Sequence, residues 1–411
     1  MFSTYRDLFR TPGALAFSSA AFIGRLPMSM IGIGTVLMVS VFYATADGKG
    51  NYGLAGQVSA VNVVAWATFA PLIARLVDRH GQARVMRPLV VFSAAATSGL
   101  VVTGVNHGPE WSLFVFAALT GMTGGSIGSL VRTRWSHTLA EPGRLHAAYS
   151  FESVLDEVIF IIGPVLATAL ATTINPAAGV VVPIVAALLG GLWFLSQTVT
   201  EPPPAPKDAP KARGTVLRSP GMVALVLVFV AVGTIFGAMD VATVAFAEEQ
   251  GSKALAGAVL AAFAAGSMLS GLFYGAHSWV SPLWKRFIVC AVLLGVGVST
   301  FFFATSLPVL AGLMFVVGFG IAPTIINGNA FVSYFVAPRR LTEGLSWIGT
   351  SNGLGVALGS WVGGLQIDAS GAHAGFLVAV LAGGVVVVAT LAFLPVMRRA
   401  EHPSLLTPPH P

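Results

Sequence analysis

Apolar residues run through this chain in blocks of about 20 residues, the length of a helix that crosses a bilayer. The blocks lie at residues 12–43, 53–76, 88–105, 111–131, one entered at Tyr149 and one ending near Gln197. A polar stretch, Thr200 to Ser219, follows. Six more blocks come after it, at 221–246, one closing before Gly275, then 287–305, 307–334, 343–367 and 375–396. None of them alternates with period two, and a backbone in lipid must satisfy its own N–H and C=O groups, so each is expected to be a helix. The pattern predicts an all-α integral membrane protein of twelve transmembrane helices in two six-helix halves. The expected boundaries are 1–199 for the first half, 200–219 for a linker, 220–397 for the second half and 398–411 for a polar tail.

The linker holds four prolines among its first seven residues, interleaved with Lys, Asp and Arg, and is expected to be extended and solvated. The first block meets an Ala44-Thr45-Ala46 sequence of cleavage-site form, but its apolar run of about 30 residues exceeds the 7–15 of a signal core, so it is read as a retained helix.

Composition sharpens the picture. The chain is 55% hydrophobic and 9% charged, with mean hydropathy +0.83, whereas a soluble domain carries about 25% charged residues. One cysteine, Cys290, rules out an internal disulfide framework. The net charge of +6 does not indicate nucleic acid, because of where the cations sit. With the N-terminus inside and twelve spans, every one of the 22 basic residues except Arg25, Lys49 and Lys253 falls on an inside segment. That bias predicts cytoplasmic termini in a cell membrane.

The halves read as copies. A shift of 196 residues places Pro142 on Pro338, Arg144-Leu145 on Arg340-Leu341, Ser150 on Ser346, Phe151 on Trp347 and Gly163 on Gly359. Asp156 falls on Asn352 and Glu157 on Gly353, so the acids occur only in the first copy. That asymmetry points to an ionisable site in the first half.

The candidate chemistry is intramembrane charge, which is costly unless paired or wetted. Arg25 lies about 13 residues into the first span, and either pairs or snorkels to the interface. Span 5 reads YSFESVLDEVIFIIGP from Tyr149 to Pro164. Tyr149, Glu152, Asp156, Phe160 and Gly163 form one stripe, with Glu157 about 100° away. Glu152 is either a solvated end residue or part of the site. Asp156 and Glu157 are proton-coupling candidates, with an ion pair to an arginine as the structural alternative. Asp240 is the acid of span 7, and Glu248 and Glu249 after it are expected to be solvated. Gly121, Gly125, Gly128 and Arg132, spaced by four, three and four, fall on one helical face of span 4, as a packing seam. Arg132 and Arg134 are read as topology charges, with pairing to Asp78 or Glu152 as the alternative.

After span 2 the chain reads ARLVDRHGQAR from Ala74 to Arg84. Asp78, Arg79, Gly81 and Arg84 resemble the loop between helices 2 and 3 of the major facilitator superfamily, with Ala74, Gln82 and Ala83 departing from the usual pattern. Gly163-Pro164 resembles, in part, the helix 5 signature of its drug/proton antiporter branch. The resemblance implies a transporter rather than an enzyme, working by alternating access, with the loop as a conformational gate. It implies a proton-coupled exporter of a small amphipathic molecule acting by antiport. A nutrient importer and a non-transporting sensor of the same fold are the alternatives. Expected partners are a small-molecule substrate, protons and membrane lipids, with the chain acting as a monomer. No phosphate-binding loop, nucleophile triad or metal-ligand spacing occurs, so no cofactor and no metal are expected.

Overall fold

The computed structural model describes residues 2–44, 51–139, 141–204, 215–252 and 255–401. The middle of the linker, the tail from residue 402 on, Lys49 and Lys253 lie outside the described residues, whereas the start of the expected tail, 398–401, is helical.

Every regular element among the described residues is helical. The first half comprises α1 (Phe2–Leu8), α2 (Ala14–Arg25), α3 (Pro27–Phe42), α4 (Tyr52–His80), α5 (Gln82–Val105), α6 (Glu110–Thr123), α7 (Ile127–Thr138), α8 (Pro142–Thr173) and α9 (Ala178–Ser196). The second comprises α10 (Pro220–Glu249), α11 (Ala256–Ala276), α12 (Leu283–Gly297), α13 (Leu307–Gly318), α14 (Ile321–Phe335), α15 (Leu341–Ser370), α16 (Ala372–Ala392) and α17 (Leu394–Glu401). Eleven spans among the described residues are long and apolar enough to cross a membrane. The twelfth is α15, whose 30 residues suffice in length but are diluted by Thr342, Glu343, Ser346, Thr350, Ser351 and Asn352.

Two expected single helices are interrupted, each for a visible reason. Span 1 bends between α2 and α3 at Leu26, because Pro27 lacks an N–H and its ring crowds the preceding turn. Span 4 stops being helical at residues 124–126. There Gly125 takes φ +58°, and Ser126 is extended and caps α7 by accepting a hydrogen bond from the Ser129 N–H at 3.3 Å. The glycine face expected in span 4 is therefore not continuous. Gly121 lies against the backbone of α4 at Asn62 and Trp66, Gly125 makes the turn, and Gly128 adjoins two arginine side chains.

The chain forms two compact units. One comprises residues 6–140 and 155–209, the other residues 1–5, 141–154 and 210–411. In the first unit α9 packs on α2 and α3 through small residues, Gly190 against Gly24 and Gly179 against Gly34. Such residues let membrane helices approach where lipid leaves no hydrophobic drive to associate. In the second unit α10 and α15 meet in the same way. Gly233 lies against the Asn352 carbonyl, Gly237 against Val356, Gly355 against Val230 and Gly359 against Thr234. Gly163 of α8 packs on Ser29 and Met30 of α3. The 196-residue repeat thus reappears in space, since Gly163 and Gly359 each seat span 5 or 11 on span 1 or 7 of its own half.

The second unit also includes the start of the chain and of α8. The Tyr5 hydroxyl donates to the Leu272 carbonyl at 2.8 Å. His146 Nε2 stands 3.3 Å from the Tyr274 carbonyl, and Ser150 lies against Gly275.

Candidate functional site

Three interrupted or acid-bearing spans of the first unit converge on one carboxylate. Arg25 is the last residue of α2, where the negative end of the helix dipole favours a cation. Arg132 lies on α7, just beyond the break in span 4. Asp156 projects from α8. Arg25 Nη1 donates to Asp156 Oδ1 at 2.7 Å, and Arg132 Nη2 donates to Asp156 Oδ2 at 2.8 Å. The two guanidiniums are anchored on their own helices, Arg25 Nε to the Ala21 carbonyl at 3.2 Å and Arg132 Nη1 to the Gly128 carbonyl at 3.2 Å. The arginine side chains are 1% and 8% exposed and that of Asp156 is 23% exposed. Asp156 is therefore the more accessible member of a largely buried triad. Breaking a buried pair by removing one partner costs about 3–5 kcal/mol.

Of the alternatives open for Arg25, pairing holds. The topology-only reading of Arg132 fails for a structural reason. Arg132 lies on α7 beyond the break in span 4, is buried, and pairs with Asp156. Its place one turn after Gly128 was the available signal.

Glu152, one turn before Asp156, is fully buried, which removes the solvated-end alternative. Tyr149 is buried as well, whereas Phe160 is 52% exposed, so the stripe on α8 passes from interior to surface along its length. Glu157 is half-buried. Pro164 lies inside α8. Asp240 is exposed on α10 and has no hydrogen-bond or ion-pair partner among the described residues. Glu249 is exposed, as expected, and also caps α16, its Oε1 accepting from the Ala372 N–H at 2.7 Å; the side chain of Glu248 lies outside the described residues.

The loop residues lie between α4 and α5. Asp78 and Arg79 occupy the last turn of α4, Gly81 turns with φ +93°, and Arg84 is exposed on α5. The start of α5 is capped by Glu201, whose Oε1 accepts from the Ala83 N–H at 3.0 Å. A knot beside it holds the fully buried Arg134, corrected from a topology charge. Arg134 donates to Gln82 Oε1 at 2.8 Å, to the Gln197 carbonyl at 2.8 Å and to Thr200 Oγ1 at 3.1 Å, and stacks 3.9 Å above the Phe194 ring. A cation at position 82 would face this guanidinium, which gives Gln82 a physical reason. The linker's root is therefore anchored, with Thr200 buried.

Among the described residues no group of three His, Cys, Asp or Glu is placed to hold a metal ion.

The family model of the major facilitator superfamily matches residues 17–286 and 241–409. The chain belongs to the major facilitator superfamily. This transporter is similar in structure to a bacterial homologue of the iron transporter ferroportin in its outward-facing state. The TM-score is 0.73 at 16% identity, over 92% of this chain and 99% of that one. It is also similar to the human organic anion transporter MFSD10, with TM-score 0.65 at 15% identity, over 92% of this chain and 96% of that one. At such identities the likeness speaks for the fold. No curated sequence matches the transporter. It is a multi-pass membrane transporter for a small molecule, and not an enzyme.

Proposed function

We propose that this chain is a proton-coupled antiporter of the cell membrane that exports a small amphipathic molecule by alternating access, with its ionisable site in the first half. The observation that carries the reading is the Arg25–Asp156–Arg132 triad. Three charged groups in membrane-spanning helices are expensive to keep, and such groups commonly mark ion or substrate pathways. Asp156 is the switchable member. A proton on its carboxylate removes a negative charge that two guanidiniums share, and the triad then rearranges. Glu152 and Glu157 on the same helix are the groups to which the arginines or the proton can pass.

The geometry also favours one class of substrate over another. Both oxygens of Asp156 are engaged by arginines, so a cationic substrate would have to displace a guanidinium. A neutral or anionic amphiphile needs no such displacement. The loop at Asp78, Arg79, Gly81 and Arg84 is proposed as the conformational gate, and the halves 1–199 and 220–397 as the moving bodies.

The test is accumulation of a fluorescent cation and of a fluorescent carboxylate in energised cells lacking their own efflux pumps. The expected outcome is lower accumulation of the carboxylate, reversed by an uncoupler and by Asp156→Asn. Accumulation that ignores the uncoupler for both dyes would remove proton coupling.

A further inference from the structure

Hydroxyls on helices of this chain usually donate to the carbonyl one turn back. Thr133, Ser150, Ser153, Thr234, Thr324 and Ser351 all do so, at 2.6–3.0 Å. Ser346 and Thr350 on α15 do not. Their Oγ atoms are buried without any hydrogen-bond partner among the described residues, and so is the indole Nε1 of Trp347 between them. The side chains of Ser346 and Thr350 belong to residues only 1% exposed. A buried polar group left without a hydrogen bond is costly, so three donors together on one helix call for a partner.

The three share a face. Steps of one and three residues set them within about 100° of the helix circumference. Around α15 they lie away from Asn352, Gly355 and Gly359, which meet α10, while the ring of Trp347 also packs against the core of its own unit. They are therefore not by-products of packing against α10. By the internal repeat, Ser346 and Trp347 correspond to Ser150 and Phe151 of α8. Ser150 spends its hydroxyl on its own helix and Phe151 has none to spend, so the unspent donors are particular to the second copy.

We infer that Ser346, Trp347 and Thr350 form a hydrogen-bonding subsite for a carbonyl or carboxylate oxygen of the transported molecule, an inference that rests on the chain being a transporter. The chemistry follows from the inventory. An indole N–H only donates, and the two hydroxyls can donate alongside it, so the group that satisfies all three is an oxygen accepting several bonds. An ammonium has nothing to accept with. The subsite is buried in this structure and meets its ligand in another conformation of the transport cycle.

The test uses the full chain in detergent and compares wild type with the isosteric triple variant Ser346→Ala, Trp347→Phe, Thr350→Val and with Trp347→Phe alone. Thermal unfolding is followed with no addition and with 4-phenylbutyrate, its primary amide and the matching amine. If the donors are unspent, the unliganded variants melt within about 2 °C of wild type or above it. The acid and the amide raise the melting temperature of wild type by about 3 °C or more and lose that effect in the triple variant, with Trp347→Phe intermediate, while the amine acts on all three alike. A fall of more than about 4 °C in the unliganded triple variant means that the groups hold a structural partner, and overturns the inference. Equal shifts in wild type and variant, or no shift from acid or amide, overturn it as well, the latter leaving ordered water as the occupant. Binding is read without flux, so failure of proton-driven export in cells is a separate result.

Discussion

Glu201 and Glu401 each cap a helix whose first amides lie 118 residues earlier in the chain. Glu201 takes the Ala83 N–H at 3.0 Å, and Glu401 takes the Leu283 N–H at 2.8 Å and the Trp284 N–H at 3.0 Å. The residue after span 6 thus closes span 3, and the residue after span 12 closes span 9. Each carboxylate satisfies orphan donors at the positive end of a helix, an arrangement that stabilises by about 0.5–2 kcal/mol. Glu201→Ala and Glu401→Ala are each expected to lower stability by about that amount, with the glutamine variants in between. Thermal unfolding of the purified protein measures it. A neutral effect of both alanines would mean that water replaces the carboxylates at no loss.

Asp156→Asn strips the shared anion from Arg25 and Arg132. The loss expected is about 3–5 kcal/mol, together with transport. Placing the same substitution in an Arg132→Gln background should cost less than in wild type, because only one of the two pairs to Asp156 is then left to break. A double-mutant cycle on melting temperature reads this coupling, and additive effects would deny the triad.

Asn352 occupies the matching position of the second half. Asn352→Ala is expected to leave uncoupler-sensitive flux in place, whereas Asp156→Asn removes it. Equal sensitivity at the two positions would end the idea that the ionisable site belongs to the first half.

Gly163 and Gly359 tolerate a methyl group differently. A Cβ on Gly163 meets the Ser29 hydroxyl, a side chain that can be removed, while a Cβ on Gly359 meets the Thr234 carbonyl and the Ala238 amide. Gly163→Ala should be rescued in folded yield and melting temperature by Ser29→Gly, since the Ser29 Cβ that an alanine would keep also lies 2.8 Å from the added methyl. Gly359→Ala should find no comparable rescue by Thr234→Ala, since its obstacle is backbone.

Burial pushes the Tyr5 hydroxyl from 10.0 up to about 12. Its neutral form is favoured by the fold, so the contribution is complete below pH 10 and fades as pH rises towards 12. Tyr5→Phe should lose the bond to the Leu272 carbonyl, worth about 1 kcal/mol. The gap between the two proteins should narrow above pH 10. Melting curves across that range decide the matter.

Much of this fold could be read from spacing alone. Apolar blocks of bilayer length, with arginines on alternate connections, leave little freedom in span number, and Gly163 matched to Gly359 identified the repeat. What spacing hid were the places where a helix departs from regularity. Pro27 announces its bend, but the stop at Gly125 depends on Ser126 capping α7, and with it goes the direction of Arg132. Asp156 was legible as an acid out of place, and its two partners were not, since they come from helices 131 and 24 residues away. Thr200 and Glu201 read as solvated strap because composition cannot show that Arg134 is buried beneath them. Ser346, Trp347 and Thr350 passed as ordinary residues of a membrane helix, because a hydroxyl's partner is a fact of its rotamer.

Between α10 and α15 the contact is made at four glycines by main chain against main chain. At the four glycines no side chain stands between the backbones, and no lipid tail can be wedged into a gap narrower than a methyl group. A half-turn rotation of either helix would set a side chain on a carbonyl. At these positions the two helices have little room to slide or turn on one another, and a displacement of one is met directly by the backbone of the other.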